Sequence, residues 1–456
     1  MKKRADLLVR GGTVVSASAA RRANVVVRGG AIVAVVDEVS DWIAAEERDA
    51  TGCFVLPGLI DAHNHPYYDE DIGTFSRSAA AGGITTLIPF VAGSSMSGGV
   101  SRGIVEVAAE FADLVRDISL LDCGAHAILS PGDELVAAVR GLADHGVRSA
   151  KVFFAFPGVR MLTDDAVFEV LRAVADSGGV CMAHCENGAV TDLLEREFRL
   201  AGRTTGSDYI ASRPVELEAE ATYRFLSLAR LAECPAYVVH ISAAEVLDLV
   251  RRFRAVGGPP VFAETCLHYL ALTAADQVVI GPRAKISPPF RRPADRDRLW
   301  QGVRAGDVDV VSTDASGQLR ANKDGVGGDY LASPYGIPGV EEFVRVLTAE
   351  ATTRGIDPLP MLANLLAERP ARIFGLRRKG CVEVGYDADL SIFDPTVEWT
   401  VRADAFHGRS DYSLYEGASG KGAVVWTCQR GRAVLDGDVV VAEPGRALFL
   451  EDEGRT

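Results

Sequence analysis

The stretch GLIDAHNHPYY, residues 58–68, closes an apolar run on Asp61 and then sets His63 and His65 one residue apart. Side chains alternate between faces of an extended backbone, so the two imidazoles share one face and are disposed to grip a single ion. The run that carries them, FVLPGLID, is the first of eight short, apolar, β-rich runs between about residue 54 and residue 315. ITTLIPF, SLLDCGAHAIL, SAKVFFAF, VCMAHCE, AYVVHIS, VFAETCLHYL and DVDVVSTDA follow in that order. Between them lie segments such as DELVAAVRGLADHG and AAEVLDLVRRFRAVGG. Their apolar residues recur near the helical period and they end in glycine, as a helix C-terminus often does. Strands buried on both faces and joined by helices make parallel sheets, and eight such units predict an α/β fold, a closed (β/α)8 barrel of the TIM type.

The two ends read differently. Residues 4–36, RADLLVRGGTVVSASAARRANVVVRGGAIVAVV, and residues 380–448 are rich in valine, glycine and short alternating segments, the pattern of antiparallel strands joined by tight turns. Neither end has much apolar mass alone, so both are expected to pair into one small β-sandwich. The division that follows is 1–53 for the N-terminal part of the sandwich, 54–375 for the barrel and 376–456 for the C-terminal part. GVEEFVRVLTAEATTRG and PLPMLANLLAERPARIFG, between barrel and sandwich, read as helices.

Composition narrows the partners. Of 456 residues 48% are hydrophobic, yet the longest apolar runs stop short of the roughly 20 residues that span a bilayer. MKKRADLLVRGG starts basic, but its apolar part is too short for a signal peptide and lacks a small-residue cleavage site, so a cytoplasmic location is expected. The eight cysteines include no C-x-x-C pair and mostly sit inside apolar runs, where a reduced thiol packs as a small hydrophobe. A net charge of −14 without a basic stripe repels nucleic acid and anionic membranes. A small-molecule partner is the expectation that remains.

Barrel enzymes carry their chemistry at the C-terminal ends of the strands. Here the first run delivers Asp61, His63 and His65, the fourth Lys151, the fifth His184 and Glu186, the sixth His240 and Ser242, and the eighth Asp314. Taken singly, each reads as a satisfied core residue or a helix cap, and H-x-H alone is a weak signal. Co-location separates them: four of the eight histidines, a lysine and an aspartate end different strands that a barrel gathers at one rim. His126, His145, His268 and His407 share no such pattern, and His145 before Gly146 has a favourable helix-end dipole as its explanation. Imidazole and carboxylate suit Zn²⁺ and its neighbours. Lys151 fits differently, because an ammonium of reference pKa about 10.4 ligates no cation. Buried in SAKVFFAF, it is costly unless paired or neutralised. Two readings stand side by side: an ion-paired lysine, or one carboxylated by carbon dioxide to a carbamate that can bridge two metals.

At this point the chain resembles the cyclic amidohydrolases, the group of hydantoinases, dihydropyrimidinases, allantoinases and dihydroorotases. The matching motifs run in order through LPGLIDAHNH, GVRSAKVFFAF, MAHCENG, SRPVELEAEATYR, VVHISAAE, VFAETCLHYLALT, KISPPFR, STDAS, GIPGVEE, RPARIFGLRRKGCVEVGYDADLSIFDP and RGRAVLDGD. The resemblance implies one metal held by His63, His65 and Asp314, a second held by His184 and His240, and carboxylated Lys151 bridging both. Zn is the metal it favours, with Mn, Co or Fe as alternatives. It further implies a bridging hydroxide that attacks a ring amide, with Asp314 shuttling the proton to the leaving nitrogen. Main-chain groups around Ser287 would bind the substrate's imide, and a homodimer or homotetramer is expected.

The chain departs from its relatives at several substrate positions. Hydantoinases and dihydropyrimidinases carry a tyrosine five residues after the bridging lysine to stabilise the oxyanion; here that residue is Phe156. Losing one such donor elsewhere costs ~2.7–4 kcal/mol, so Tyr67, Tyr68 or Tyr335 is a candidate to replace it. Dihydroorotases have an arginine soon after H-x-H to hold a carboxylate, whereas this chain reads His65-Pro66-Tyr67-Tyr68, which favours an uncharged substrate. Ala315 stands where many relatives have histidine, and Tyr335 where hydantoinases often have asparagine. The expected activity is hydrolysis of a cyclic amide, imide or ureide. Allantoinase is the nearest rival, followed by a non-catalytic scaffold of the same fold and a hydrolase of an exocyclic amide.

Overall fold

In the computed structural model, which describes residues 2–94 and 102–454, eight strands run parallel in sequence order. They are β1 (Leu59–His65), β2 (Ile84–Ala92), β3 (His126–Ile128), β4 (Ser149–Phe153), β5 (Val180–His184), β6 (Ala236–Val238), β7 (Val261–Cys266) and β8 (Val310–Ser312). Just beyond β8, Ala315 and Ser316 pair in parallel with Asn64 and His65 of β1, so the ladder returns to its first strand. The strands bury both faces, as their apolar runs require. One face gathers Ile60, Phe90, Ile128, Met182, Tyr237 and Val310. The other turns Leu59, Leu87, Val152, Ala183 and Val311 towards the helices.

Those helices follow their sequence period. Leu135–Asp144 buries Ala138, Val139 and Leu142, and Ala244–Val256 buries Val246, Leu247 and Val250 before ending at Gly257. Phe343–Thr353 is helical as expected. The segment PLPMLANLLAERPARIFG is not one regular helix: Pro358–Ala363 and Arg369–Ile373 flank a π turn at Asn364–Glu368. Pro370 lacks the amide that a regular ladder needs, and the widened turn accommodates it.

Two further sheets come from the chain ends. Lys3–Arg10, Asn24–Arg28, Ala31–Val36 and Trp42–Asp49 form one. The second alternates ends, since Phe54–Pro57 pairs antiparallel with Leu390–Phe393 and parallel with Thr13–Val14. Leu7, Val9, Val25 and Val27 of the first sheet pack on Val55, Leu390, Ile392 and Trp426 of the second. Trp42–Asp49 was not legible as a strand, because its polar sequence is mostly exposed, and it lies parallel to Lys3–Arg10 rather than antiparallel.

The run FVLPGLID is shared. Phe54–Pro57 stays with the terminal sheet and Leu59 opens β1. Gly58 makes the crossing, since a Cβ there would meet Thr85 Oγ1 at 2.4 Å and Asp389 Cβ at 2.7 Å. SLLDCGAHAIL likewise divides, into Asp122–Cys123 and β3. No disulfide joins the eight cysteines among the described residues, and no helix of those residues is long and apolar enough to cross a membrane.

Candidate metal centre

The six residues proposed as ligands meet at one end of the curled sheet. His63 Nε2 and His65 Nε2 each lie 3.1 Å from Asp314 Oδ1, and Lys151 Nζ lies 3.2 Å from His63 Nε2. His184 Nδ1 and His240 Nε2 are 3.0 Å apart, and the His63 and His240 rings stand 5.6 Å centroid to centroid. His63, His65 and Asp314 have ligand atoms all within 4.8 Å of one another.

Local structure explains the convergence. The register of β1 against β2 shifts between Asp61 and Asn64. Asp61, fully buried, accepts from the Thr313 amide at 3.1 Å and its hydroxyl at 2.7 Å, while the Asp314 amide donates to His63 O at 2.8 Å. Asp61 thus clamps the end of β1 to the end of β8. Asp314 and His240 have φ of +48° and +39°, strained values that cost ~1–3 kcal/mol each and cluster at functional sites.

A carboxylate overlooked in the sequence completes the frame. Glu264 Oε1 lies 2.7 Å from His63 Nδ1 and accepts from the His240 amide at 3.0 Å, while its Oε2 accepts from the Tyr237 hydroxyl at 2.7 Å. With Nδ1 engaged, His63 turns Nε2 to the centre, the usual support for a metal-binding histidine. Glu186 does the same for His184, meeting its Nε2 at 2.8 Å and leaving Nδ1 free for the centre.

The electrostatics favour cation binding. Burial pushes the Asp314 carboxyl up, but His63 and His65 outweigh it and hold the group well below the usual carboxylate range. Burial lowers the Lys151 amine to about 8, against the pull of Asp314 and Glu264. Its ammonium position lies 4.3 Å from the Phe90 ring centre, and no carboxylate pairs with it among the described residues. His240 Nδ1 is buried without a hydrogen-bond partner among the described residues. Imidazole nitrogens crowded to 3.0 Å and a carboxylate kept ionised form a donor set that divalent ions satisfy, beside a buried lysine with no carboxylate partner among the described residues.

Above the centre lies a cavity walled by Tyr67, Tyr68, Phe156, Arg160, Ser287 and Tyr335. The Tyr67 hydroxyl is 2.7 Å from His65 Nδ1. The Tyr335 hydroxyl accepts from Arg213 at 2.6 Å. The Ser287 hydroxyl donates to Glu186, which leaves the main chain as the part of Ser287 open to a ligand.

A model of the amidohydrolase family matches residues 54–434. The chain belongs to the amidohydrolase family. This amidohydrolase is 34% identical over 461 residues to a D-hydantoinase of Ralstonia pickettii, covering 98% of each chain. It is 33% identical over 457 residues to a D-hydantoinase of Rhizobium radiobacter, covering 97% of this chain and 98% of the relative. Its fold matches a dihydropyrimidinase from Brevibacillus agri with a TM-score of 0.92 at 29% identity, over 98% of this chain and 99% of that one. The resemblance to the cyclic amidohydrolase group is thereby borne out.

Within the amidohydrolase, Phe156 adopts φ +62°, and its ring stands 5.4 Å from His184 and 5.3 Å from Tyr335. It therefore contributes packing where a hydroxyl was expected to be missing. The remaining histidines lie apart from the ligands' role: His126 bonds Ser149 and Ala62 O, and His407 pairs with Glu341. His268 packs on Tyr269 and Phe290, while His145 caps a helix end. Ser242 bonds Glu218 instead of facing the centre. Glu264 had a signal in the sequence, an acid inside the apolar run VFAETC; Arg160, on a loop without periodicity, had none.

Proposed function

We propose that this amidohydrolase hydrolyses the ring of a cyclic amide, imide or ureide, with hydantoins and dihydropyrimidines as the nearest substrate classes. The observation that carries the reading is the convergence of His63, His65, His184, His240 and Asp314 around a buried Lys151 with no carboxylate partner among the described residues. The scaffold in this reading is a (β/α)8 barrel over 54–375, less the Phe54–Pro57 strand that stays with the terminal sheets, and a β-sandwich built from 1–53 and 376–456. His63, His65 and Asp314 would hold one divalent ion, His184 and His240 a second, and Lys151 would bridge them as its carbamate. Burial keeps part of the Lys151 amine neutral, the form that adds to carbon dioxide with loss of one proton. When bound, Zn²⁺, Mn²⁺, Co²⁺ or Fe²⁺ would supply Lewis acidity and a nucleophile from water near neutral pH.

The chain's own groups divide the rest of the work. Asp314 takes a proton from the attacking water and passes it to the ring nitrogen as the C–N bond breaks and a C–O bond forms. If His65 Nδ1 donates to Tyr67, the Tyr67 proton is free for the carbonyl oxygen, the task for which Phe156 has no donor. The Ser287 main chain and Tyr335 hold the ring. Eight cysteines with no disulfide among the described residues support a reducing, cytoplasmic setting, and a homodimer or homotetramer belongs to the same reading, open to light scattering.

The test is ring opening by metal- and bicarbonate-reconstituted protein beside an Asp314→Asn control. Hydantoins, dihydrouracil, allantoin, dihydroorotate, succinimide and glutarimide are followed by mass spectrometry. Allantoin belongs in the panel because Phe156 lacks the tyrosine hydroxyl. Gain of one water by one class, lost in the control, supports the reading. Intact rings from metal-loaded protein, or cleavage of an exocyclic bond, would overturn it.

A further inference from the structure

We propose that Arg160 selects substrates bearing an anionic group on the ring substituent, such as the carboxylate of a carboxyalkyl hydantoin. The inference rests on the hydrolase reading and names the substrate class of that same cavity. Arg160 is 1% exposed and forms part of the wall that also holds Tyr67 and Tyr68. One terminal nitrogen donates to Ser94 Oγ at 3.0 Å and Ser130 Oγ at 2.6 Å, and the other to Ser94 O. A guanidinium has five N–H donors, so among the described residues two remain without a partner, and one of them is the buried Nε–H.

Every one of these partners is neutral. Among the described residues no carboxylate pairs with Arg160, and residues 95–101, SMSGGVS, hold no acidic side chain. Asp133 acts on it only at longer range and is itself bonded to the Ser130 amide at 2.8 Å. Other buried arginines of this chain are compensated: Arg291 meets Glu218 at 2.8 Å and Arg213 meets Glu195 at 3.2 Å. An unpaired buried charge is costly, and Arg160 carries it in the cavity that holds the metal ligands.

A ligand carboxylate resolves both the missing charge and the missing acceptor, since a guanidinium takes a carboxylate through two parallel hydrogen bonds. The Arg160 amide donates to Phe156 O at 3.0 Å, so this cation enters on the turn that carries Phe156. The absence of an arginine after His65 favoured an uncharged substrate in the sequence; Arg160 reaches the same cavity from another loop and reverses that expectation.

The experiment compares kcat/KM of the metal-loaded protein for 5-(2-carboxyethyl)hydantoin and 5-(2-carbamoylethyl)hydantoin, nearly identical in shape but differing in charge. Wild type is expected to favour the acid about tenfold or more, mainly through KM. Arg160→Met abolishes that preference and Arg160→Lys restores part of it. Calorimetric binding of the two ring-opened products, N-carbamoylglutamate and N-carbamoylglutamine, gives the same order without turnover. Equal treatment of acid and amide by wild type, or an Arg160→Met variant that loses both in proportion, would overturn the inference. If neither ring opens, hydantoins drop out of the hydrolase reading, and product binding still decides Arg160: acid preference lost in Arg160→Met supports it, indifference refutes it.

Discussion

Glu264 lies 2.7 Å from His63 Nδ1 through one oxygen and also takes the backbone amide of His240 at 3.0 Å. One buried acid therefore orients a candidate ligand for each of the two proposed ions. Replacing it by glutamine keeps the shape but removes the charge that fixes the His63 proton. Glu264→Gln is expected to weaken divalent-metal affinity about 10–100-fold, measured by competition with a chromogenic chelator. Unchanged affinity would reduce Glu264 to a packing residue.

Tyr67 is the hydroxyl best tied to a ligand, at 2.7 Å from His65 Nδ1. Tyr67→Phe is expected to lower kcat by about two orders of magnitude with little change in KM, the scale of losing one oxyanion donor. Adding Phe156→Tyr in that background should recover part of the loss. Steady-state kinetics on one hydantoin decides it, and an unchanged kcat in Tyr67→Phe would assign the donor elsewhere.

The candidate ligands were legible because chemistry and fold coincide in them. His63, His65, Lys151, His184, His240 and Asp314 each interrupt or end an apolar run, and the order of the runs is the order of strands in the sheet. Glu264 escaped because a carboxylate inside an apolar run looks like an exception until the His63 ring is seen against it. Arg160 and the bonding of Tyr67 are loop properties, fixed by contacts between distant segments that no periodicity records. The terminal strands were legible as β, yet Phe54–Pro57 was hidden because one apolar run serves two sheets across Gly58. Trp42–Asp49 was missed because an exposed strand has no need of apolar alternation.

Glu342 gives a pH signature outside the centre. Burial pushes its carboxyl from 4.5 to about 7, with the Ser413 hydroxyl at 2.5 Å opposing the shift. Below 4.5 the group is protonated folded and unfolded alike, and the fold bears no penalty from it. Between 4.5 and about 7 the folded state holds the extra proton, so stability falls as pH rises and levels off above that window. The loss is about 3 kcal/mol by linkage. Glu342→Gln is expected to flatten this slope, read from urea unfolding at pH 5 and pH 8; a parallel slope in the variant would contradict it.

Lys379 joins the terminal sheets to the curled sheet. Its ammonium donates to Asp122 at 2.7 Å and Asp389 at 2.6 Å, both buried, and Arg430 also pairs with Asp122. Lys379→Met leaves those acids without their central partner and is expected to cost about 3–5 kcal/mol. Urea unfolding measures it, and a cost below about 1 kcal/mol would mean that Arg430 suffices.

The proposed centre holds two ions and opens a ring only when both are bound. Its most direct test is to titrate metal-free protein with Zn²⁺ in bicarbonate buffer while following hydantoin ring opening and counting bound metal on the same samples. Ring opening that rises to a plateau as each chain takes up its second ion is the expected result. A plateau at one ion per chain, or intact hydantoin with two ions bound, would contradict it.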